Sequence, residues 1–186
     1  MEARQLLYTV DEFERIADSA ENRDRLLELI DGEIIEKVPT EKHGMCVGNI
    51  YGHLWNDVRV RRSGRVVMEV RYRNPEDRRN ARIPDVSYTS GNEPPVEKGS
   101  VPRMPDLAVE VKSPNDSLKT MRQKARYYLA NGSKMVWLVD PQRRFVEVYT
   151  SDDEEVLLEG DVLDGGEVLP GFQMKVSDIF EDTAQG

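Results

Sequence analysis

The sequence contains very little of the chemistry that builds disulfides or zinc sites. Its one cysteine, Cys46, excludes an intramolecular disulfide and a zinc cage of several thiolates. Its two histidines, His43 and His53, are not at the spacing of a metal-ligand pair, which argues against a zinc hydrolase. The cysteine content therefore favours a reduced, cytoplasmic setting.

Several longer signals are also missing. No run of about 18 apolar residues occurs, which argues against a membrane-spanning helix. The N-terminus has no basic-then-apolar leader, so we do not expect secretion. There is no glycine-rich Walker-type phosphate loop and no Gly-x-Ser-x-Gly elbow, which removes two large classes of hydrolase.

Charge is abundant but unevenly distributed. The net charge of −9 argues at first against a nucleic-acid partner. Residues 59–82, however, contain nine arginines against three acidic residues, and residues 112–146 contain eight basic residues against two acidic ones. The acidic excess lies in residues 1–36 and 147–186, whose sums are −7 and −11. The two central segments suit a DNA partner, and the alternative is a solvated surface with chance clustering.

Residues 105–141 predict a strand, a turn, a helix and a second strand, which together form a βαβ unit. Alternation along the first strand places Glu110 and Lys112 on the face opposite its apolar residues. The second strand, residues 135–139, is apolar on both faces, as is typical of a buried parallel strand. Around this unit we expect an α/β (α+β) fold with a mixed sheet flanked by helices.

The remaining elements follow from periodicity, caps and turn residues. We expect one domain, residues 1–186, with a core at about 25–141 and an acidic, β-rich extension at about 145–180. The predicted elements are a helix from the Thr9 capping box to Ala20, a helical turn at 25–29, a strand at 29–38 with a tight turn at Gly32, a helix at 41–61, strands at 65–73, 82–89, 145–149, 156–158 and 174–176, and a helical turn from Ser177.

Three acidic residues occupy strand positions in this scheme: Glu33, Asp85 and Glu110. Two carboxylates that converge at strand ends make an oxygen-only site, which magnesium or manganese prefers. Lys112 lies two residues after Glu110 and is suited to orient a water or to stabilise charge on a phosphate. With most reaction classes removed by such absences, metal-assisted phosphodiester hydrolysis remains.

The spacing of these residues resembles a known signature. Pro84-Asp85, followed after 24 residues by Glu110-Val111-Lys112, looks like the PD-(D/E)XK motif of the restriction-endonuclease-like superfamily. The wider context resembles the Uma-type endonucleases within it, over roughly residues 8 to 180. The matching motifs are Leu29-Ile30-Asp31-Gly32-Glu33, His43, Ile83-Pro84-Asp85-Val86-Ser87, residues 105–114, Lys124 with Tyr128, Trp137-Leu138-Val139-Asp140-Pro141 and Leu169-Pro170-Gly171-Phe172.

The resemblance implies a restriction-endonuclease-like sheet with Mg2+ (or Mn2+) at Asp85 and Glu110. The backbone carbonyl of Val111 would complete the protein ligands, and Lys112 would serve the water or the phosphate. Many members appear to use a lysine from the following helix instead, and this chain has Lys124 there as well.

Two further residues are secondary candidates, for an additional cation and for proton handling: Glu33 and His43. Each candidate also has an ordinary structural reading. Asp85 and Glu33 could be turn carboxylates, Glu110 with Lys112 an exposed charge pair, and His43 a capping or packing residue. Asp106, on the strand face of Glu110, is an alternative ligand.

The expected partner is DNA, without any membrane contact. We also expect a homodimer, since cutting both strands of a duplex needs two sites. The alternatives are a catalytically silent nuclease-fold binding or regulatory module and a small dimeric structural protein. The basic residues expected at DNA phosphates are Arg59, Arg61, Arg62, Arg71, Arg73, Lys119 and Arg122.

Overall fold

The computed structural model describes residues 6–184, and this part of the chain contains four helices and ten strands. The helices are α1 (Val10–Ala17), α2 (Glu41–Arg61), α3 (Leu118–Ala130) and α4 (Val176–Ile179). The strands are β1 (Leu26–Ile30), β2 (Glu33–Lys37), β3 (Gly64–Met68), β4 (Val86–Ser90), β5 (Leu107–Val111), β6 (Met135–Asp140), β7 (Phe145–Thr150), β8 (Glu154–Leu158), β9 (Val162–Gly165) and β10 (Leu169–Lys175). No helix among these residues is both long and apolar enough to span a membrane.

The chain divides into two compact units. Of the described residues, the smaller unit comprises 6–38, 69–83 and 94–104, and the larger comprises 39–68, 84–93 and 105–184. The larger unit contains a six-stranded sheet in the order β3-β4-β5-β6-β7-β8, in which β5 and β6 run parallel and the other neighbours run antiparallel. With helices on this sheet and the extra antiparallel pair β9–β10, the predicted α+β architecture is confirmed. The extent of a single domain stays a prediction.

The smaller unit is built from α1 and the β1–β2 hairpin. Thr9 and Glu12 form the predicted capping box at the start of α1. The helical turn predicted at 25–29 is wrong, because Leu26–Ile30 pairs with β2 as a strand. The turn between these strands has positive φ at both Asp31 (51°) and Gly32 (89°), which is the geometry that joins two strands tightly.

Helices cover the sheet of the larger unit on both sides. On one side, Ile50 and Leu54 of α2 share a core with Val109 of β5 and Trp137 of β6. On the other side lies α3, so that Glu110, which alternation places away from Val109, is also buried at 1% exposure. A strand buried on both faces is what a parallel pair at the centre of a sheet requires.

The strands β3 and β4 are shorter than expected from the sequence. β3 ends at Met68 and is followed by Glu69 with a positive φ of 55°, which breaks the extended conformation. β4 begins at Val86, two residues after Pro84, which has no N–H to offer the ladder. The shortening leaves Asp85 just outside the regular strand.

The motif Leu169–Phe172 is held by an arginine of α2. Arg61 donates to the carbonyls of Pro170 at 2.5 Å and Gly171 at 3.0 Å. Phe172 then stacks on Trp137, with ring centroids 6.0 Å apart. The acidic C-terminal extension therefore shares the core of the sheet.

An ion pair joins α3 to β7, in which Glu147 is buried and the side chain of Arg122 is 44% exposed. Arg122 donates to both oxygens of Glu147, at 3.0 and 2.5 Å, and Tyr149 donates to the same carboxylate at 2.7 Å. Hydrogen bonds from Arg122 hold the pKa of Glu147 below its ordinary value. Burial, together with the neighbouring carboxylate, raises the pKa of Tyr149 to about 12.

We expect Arg122→Ala to lower the free energy of unfolding by about 1–2 kcal/mol at pH 7, because Glu147 would stay buried without its cation, while the exposure of Arg122 lets solvent screen part of the attraction. A depressed carboxyl pKa stabilises the fold above the ordinary value of 4.5 and ceases to do so as the pH falls through the folded value. The deficit of the variant should therefore stay constant between pH 7 and pH 5 and shrink as the pH falls below about 4.5. Urea unfolding measures both quantities.

Arg126→Ala is the matched control, since Arg126 is an exposed arginine one turn along the same helix. It should change stability by less than about 0.5 kcal/mol. Equal losses for the two variants at pH 7 would contradict the assignment of the ion pair.

Candidate active site

Asp85 extends the ladder between β4 and β5 with its own side chain. Its backbone N–H donates to the carbonyl of Val109 at 2.9 Å, and its Oδ2 accepts from the N–H of Val111 at 2.7 Å. These two groups flank Glu110 on β5, so Asp85 lies directly beside Glu110. Both residues are buried, at 2% and 1% exposure.

A histidine from the first turn of α2 approaches the same carboxylate. His43 Nε2 lies 3.2 Å from Oδ2 of Asp85, and the His43 residue is 5% exposed. Thr40 begins the helix by accepting from the backbone N–H of His43 at 3.3 Å. With Asp85 ionised, His43 Nε2 is the hydrogen-bond donor. The other ring nitrogen, Nδ1, is buried and has no hydrogen-bond partner among residues 6–184.

Glu110 is held by two side chains of α3. Its Oε1 accepts from the hydroxyl of Tyr128 at 2.8 Å, and its Oε2 accepts from Lys124 Nζ at 3.2 Å. Lys124 and Tyr128 are four residues apart, so they lie on one side of the helix. Tyr128 is fully buried, and the side chain of Lys124 is 12% exposed.

The structure separates the two candidate lysines. Lys112 follows the last residue of β5, and its backbone N–H donates to Val139 at 2.8 Å. Its Nζ donates to the carbonyl of Ser113 at 3.4 Å, whereas Lys124 contacts Glu110. Lys124 is thus the lysine that lies against a candidate carboxylate.

Two other carboxylates were candidates from the sequence, Glu33 and Asp106. Glu33 is the first residue of β2 in the smaller unit, so its place at the site stays a prediction. Asp106 lies at the opposite end of β5 from Glu110, where its carboxylate binds Lys134 at 2.7 Å and Ser90 at 2.8 Å. Burial opposes ionisation of Asp106, but the bonds from Lys134 and Ser90 lower its pKa. Asp106 therefore ties β4 to the start of β6.

Two contributors were missed from the sequence: Tyr128 as a partner of Glu110, and Glu147 as the anchor of Arg122. The four-residue spacing of Lys124 and Tyr128 around the apolar Ala125 was the available signal for the first. Glu147 gave a weaker signal, a carboxylate inside the apolar alternation of a strand.

Comparisons with known proteins agree with this architecture. A family model described as "Putative restriction endonuclease" (Uma2) matches residues 10–177. A crystal structure described as a putative nuclease belonging to DUF820 from Anabaena variabilis ATCC 29413 is 24% identical. It covers 92% of this chain and 97% of its own, with a TM-score of 0.77, and it shares the fold. No functionally curated protein matches the chain.

We expect Lys124→Met to destabilise the protein by about 3 kcal/mol, because Glu110 would keep a buried charge without its cation. For a chain of this length the melting temperature should fall by roughly 6–12 °C. Lys112→Met is the matched control and should change it by less than about 2 °C. Differential scanning calorimetry distinguishes the two, and similar shifts would contradict the pairing of Lys124 with Glu110.

Proposed function

Because the chain belongs to the Uma2 family, described as "Putative restriction endonuclease", we propose that it is a metal-dependent nuclease that hydrolyses phosphodiester bonds in DNA. The observation that carries the proposal is the placement of Asp85, the residue just before β4, beside Glu110 on β5, with Lys124 in contact with Glu110. This set combines oxygen ligands with a compact cation in one buried place.

The cost of this arrangement supports a functional role. Burying an ionised carboxylate costs several kcal/mol, and apolar residues of similar size would often stabilise a fold more. The larger unit nevertheless buries both Asp85 and Glu110, two residues that are neighbours across the β4–β5 edge. Buried carboxylates with individual partners are typical of functional sites.

The donor atoms fit a hard divalent cation. Asp85 and Glu110 offer carboxylate oxygens, and the carbonyl of Val111 would complete the protein ligands for Mg2+ or Mn2+. Among residues 6–184 no group of three or more His, Cys, Asp or Glu side chains could hold a metal. The proposed protein ligands are therefore limited to the two carboxylates and the Val111 carbonyl. When bound, such an ion polarises the phosphate and acidifies a water.

The other side chains orient these groups. His43 donates to Asp85, which fixes the plane of that carboxylate, and Tyr128 does the same for Glu110. Lys124 would stabilise negative charge that develops on the scissile phosphate, as a fixed ammonium in a dry site does. Lys112 and Glu33 are retained as secondary candidates, for positioning the water and for an additional cation.

We expect Glu110→Ala and Asp85→Ala to abolish cleavage and metal binding, because each removes a charged oxygen ligand. Lys124→Ala and Lys112→Ala test the two lysines. The catalytic one should lower the rate about 100-fold or more while leaving metal binding nearly intact. Arginine at that position should not restore activity, because a planar guanidinium differs from an ammonium.

The assay incubates the purified protein with supercoiled plasmid, linear duplex and single strands in manganese. Chelator should stop cleavage, and calcium should support binding without cutting, since its looser shell positions the water poorly. Equal cleavage by wild type and Glu110→Ala would mean contamination. No cleavage of any substrate by a protein that binds manganese would favour the silent binding module.

DNA binding should fall with salt according to the basic side chains that are available. Arg61 is bound to Pro170 and Gly171, and in the smaller unit Arg71 and Arg73 pair with Asp18 and Glu14. Arg122 is likewise paired with Glu147, so the remaining candidates are Arg59, Arg62 and Lys119.

Three phosphate contacts predict a slope of log K against log salt of about −3. Anisotropy of labelled duplex in calcium between 50 and 200 mM salt measures the slope, and Lys119→Ala should reduce its magnitude by about 1. Binding that ignores salt would point to a small ligand or a protein partner.

A further inference from the structure

The two tryptophans of the chain occupy opposite environments. Trp137 is fully buried in the core of the larger unit and stacks on Phe172. Trp55, on the outer face of α2, is 43% exposed. Exposing a large aromatic ring to water is unfavourable. The inner face of α2 is already well packed, so packing of the core does not explain the exposure of Trp55.

The local sequence explains why the ring is uncovered. Side chains on a helix lean toward its N-terminus, so the ring of Trp55 lies over the preceding turn. That turn contains Gly52, where an added Cβ would meet no atom within 4 Å. From the following turn, Arg59 leans back, and its guanidinium carbon lies 4.8 Å from the centre of the ring. Trp55 is therefore flanked by an open approach on one side and a cation on the other.

The end of α2 beside this ring is strongly basic. Residues 55–65 contain four arginines and one acidic residue, Asp57, which pairs with Arg61 at 2.8 Å. Arg62 ends the helix in a left-handed conformation with φ of 53°, and within the described residues its side chain has no hydrogen bond or ion pair. The charges of Arg59 and Arg62 are therefore not neutralised by a neighbouring carboxylate.

We propose that Trp55, together with Arg59 and Arg62, is a stacking platform for an unpaired base of a single-stranded nucleic acid. An exposed aromatic ring accepts the face of any base, and adjacent arginines bind the phosphates on either side. A duplex hides its base faces, so this surface favours a strand with unpaired bases.

The inference rests on the proposed function for its choice of nucleic acid and gives that function a substrate class. Trp55 and His43 belong to one helix, twelve residues apart, which is about 18 Å along its axis. The first turn of α2 contacts Asp85 through His43. A strand held at Trp55 is thus positioned by the helix that also reaches the candidate active site.

The test uses the full chain in chelator, so that binding is measured without cleavage. A 16-nucleotide oligothymidine and a 16-base-pair duplex are the probes, and tryptophan fluorescence is the readout. We expect the oligothymidine to quench the emission of Trp55, while buried Trp137 keeps its emission. Trp55→Ala should weaken oligothymidine binding roughly 5- to 150-fold, the range for loss of one stacked base. Trp55→Phe should restore part of that loss.

Val60→Ala is the matched control, since Val60 is 77% exposed on the same helix. It should leave affinity unchanged. Equal affinity of wild type and Trp55→Ala for the oligothymidine, or tighter binding of the duplex than of the single strand, overturns the proposal. So does a change from dimer to monomer in Trp55→Ala by light scattering without a change in binding, which would make this surface a contact between copies of the chain.

The two proposals fail in different ways. If wild type binds the oligothymidine through Trp55 but cleaves nothing in manganese, the platform stands and the nuclease does not. If wild type cleaves plasmid and Glu110→Ala does not, while Trp55→Ala binds as wild type does, the nuclease stands and the platform is excluded.

Discussion

The need to pair carboxylates buried on the sheet governs how the larger unit is assembled. Glu110 and Glu147 lie on one row across β5, β6 and β7, since both are in register with Leu138. Each carboxylate pairs with a basic side chain of α3: Lys124 binds Glu110, and Arg122 binds Glu147. With neighbouring strands about 4.8 Å apart, the two carboxylates are separated by roughly 10 Å, close to the width of a helix. The helix is therefore fixed over β6 by charge on both of its sides, in addition to its apolar face.

The same constraint reaches α2 through Asp85. The Asp85 carboxylate accepts from the N–H of Val111 and from His43, and this ties the first turn of α2 to the end of β5. Two helices on opposite faces of the sheet are thus positioned by two adjacent acidic residues. In most folds the catalytic groups are placed by an apolar scaffold. Here the candidate catalytic groups are themselves part of the scaffold, so a change at Glu110 alters chemistry and stability together.

The sequence predicted the central features because they depend on local pattern. The alternation at 105–112, the proline before Asp85 and the spacing to Glu110 are short-range signals, and they correctly led to adjacent strands β4 and β5. The sequence left the lysine partner of Glu110 open between Lys112 and Lys124, because the choice depends on which side of α3 meets the sheet. Lys112, which is near in sequence, lies against Ser113, while Lys124 arrives from the next element. The segment 25–29 was assigned to a helix because five residues with three leucines fit either period, and only pairing with β2 decides the matter.

Counting charged residues gave the net charge of each segment, but it did not show whether the side chains face a partner or pair within the chain. The guanidinium of Arg61 donates hydrogen bonds to two backbone carbonyls. In the smaller unit, the guanidinium of Arg71 lies over the ring of Phe13 and pairs with Asp18. Much of the positive charge between residues 59 and 82 is therefore neutralised within the chain, where it stabilises turns and helix ends. The charge that remains for a partner in this part of the larger unit lies at Arg59 and Arg62, next to the exposed Trp55. Since the field of a few unpaired arginines extends only about 10 Å at 0.1 M salt, a chain with a net charge of −9 can still present a positive surface there.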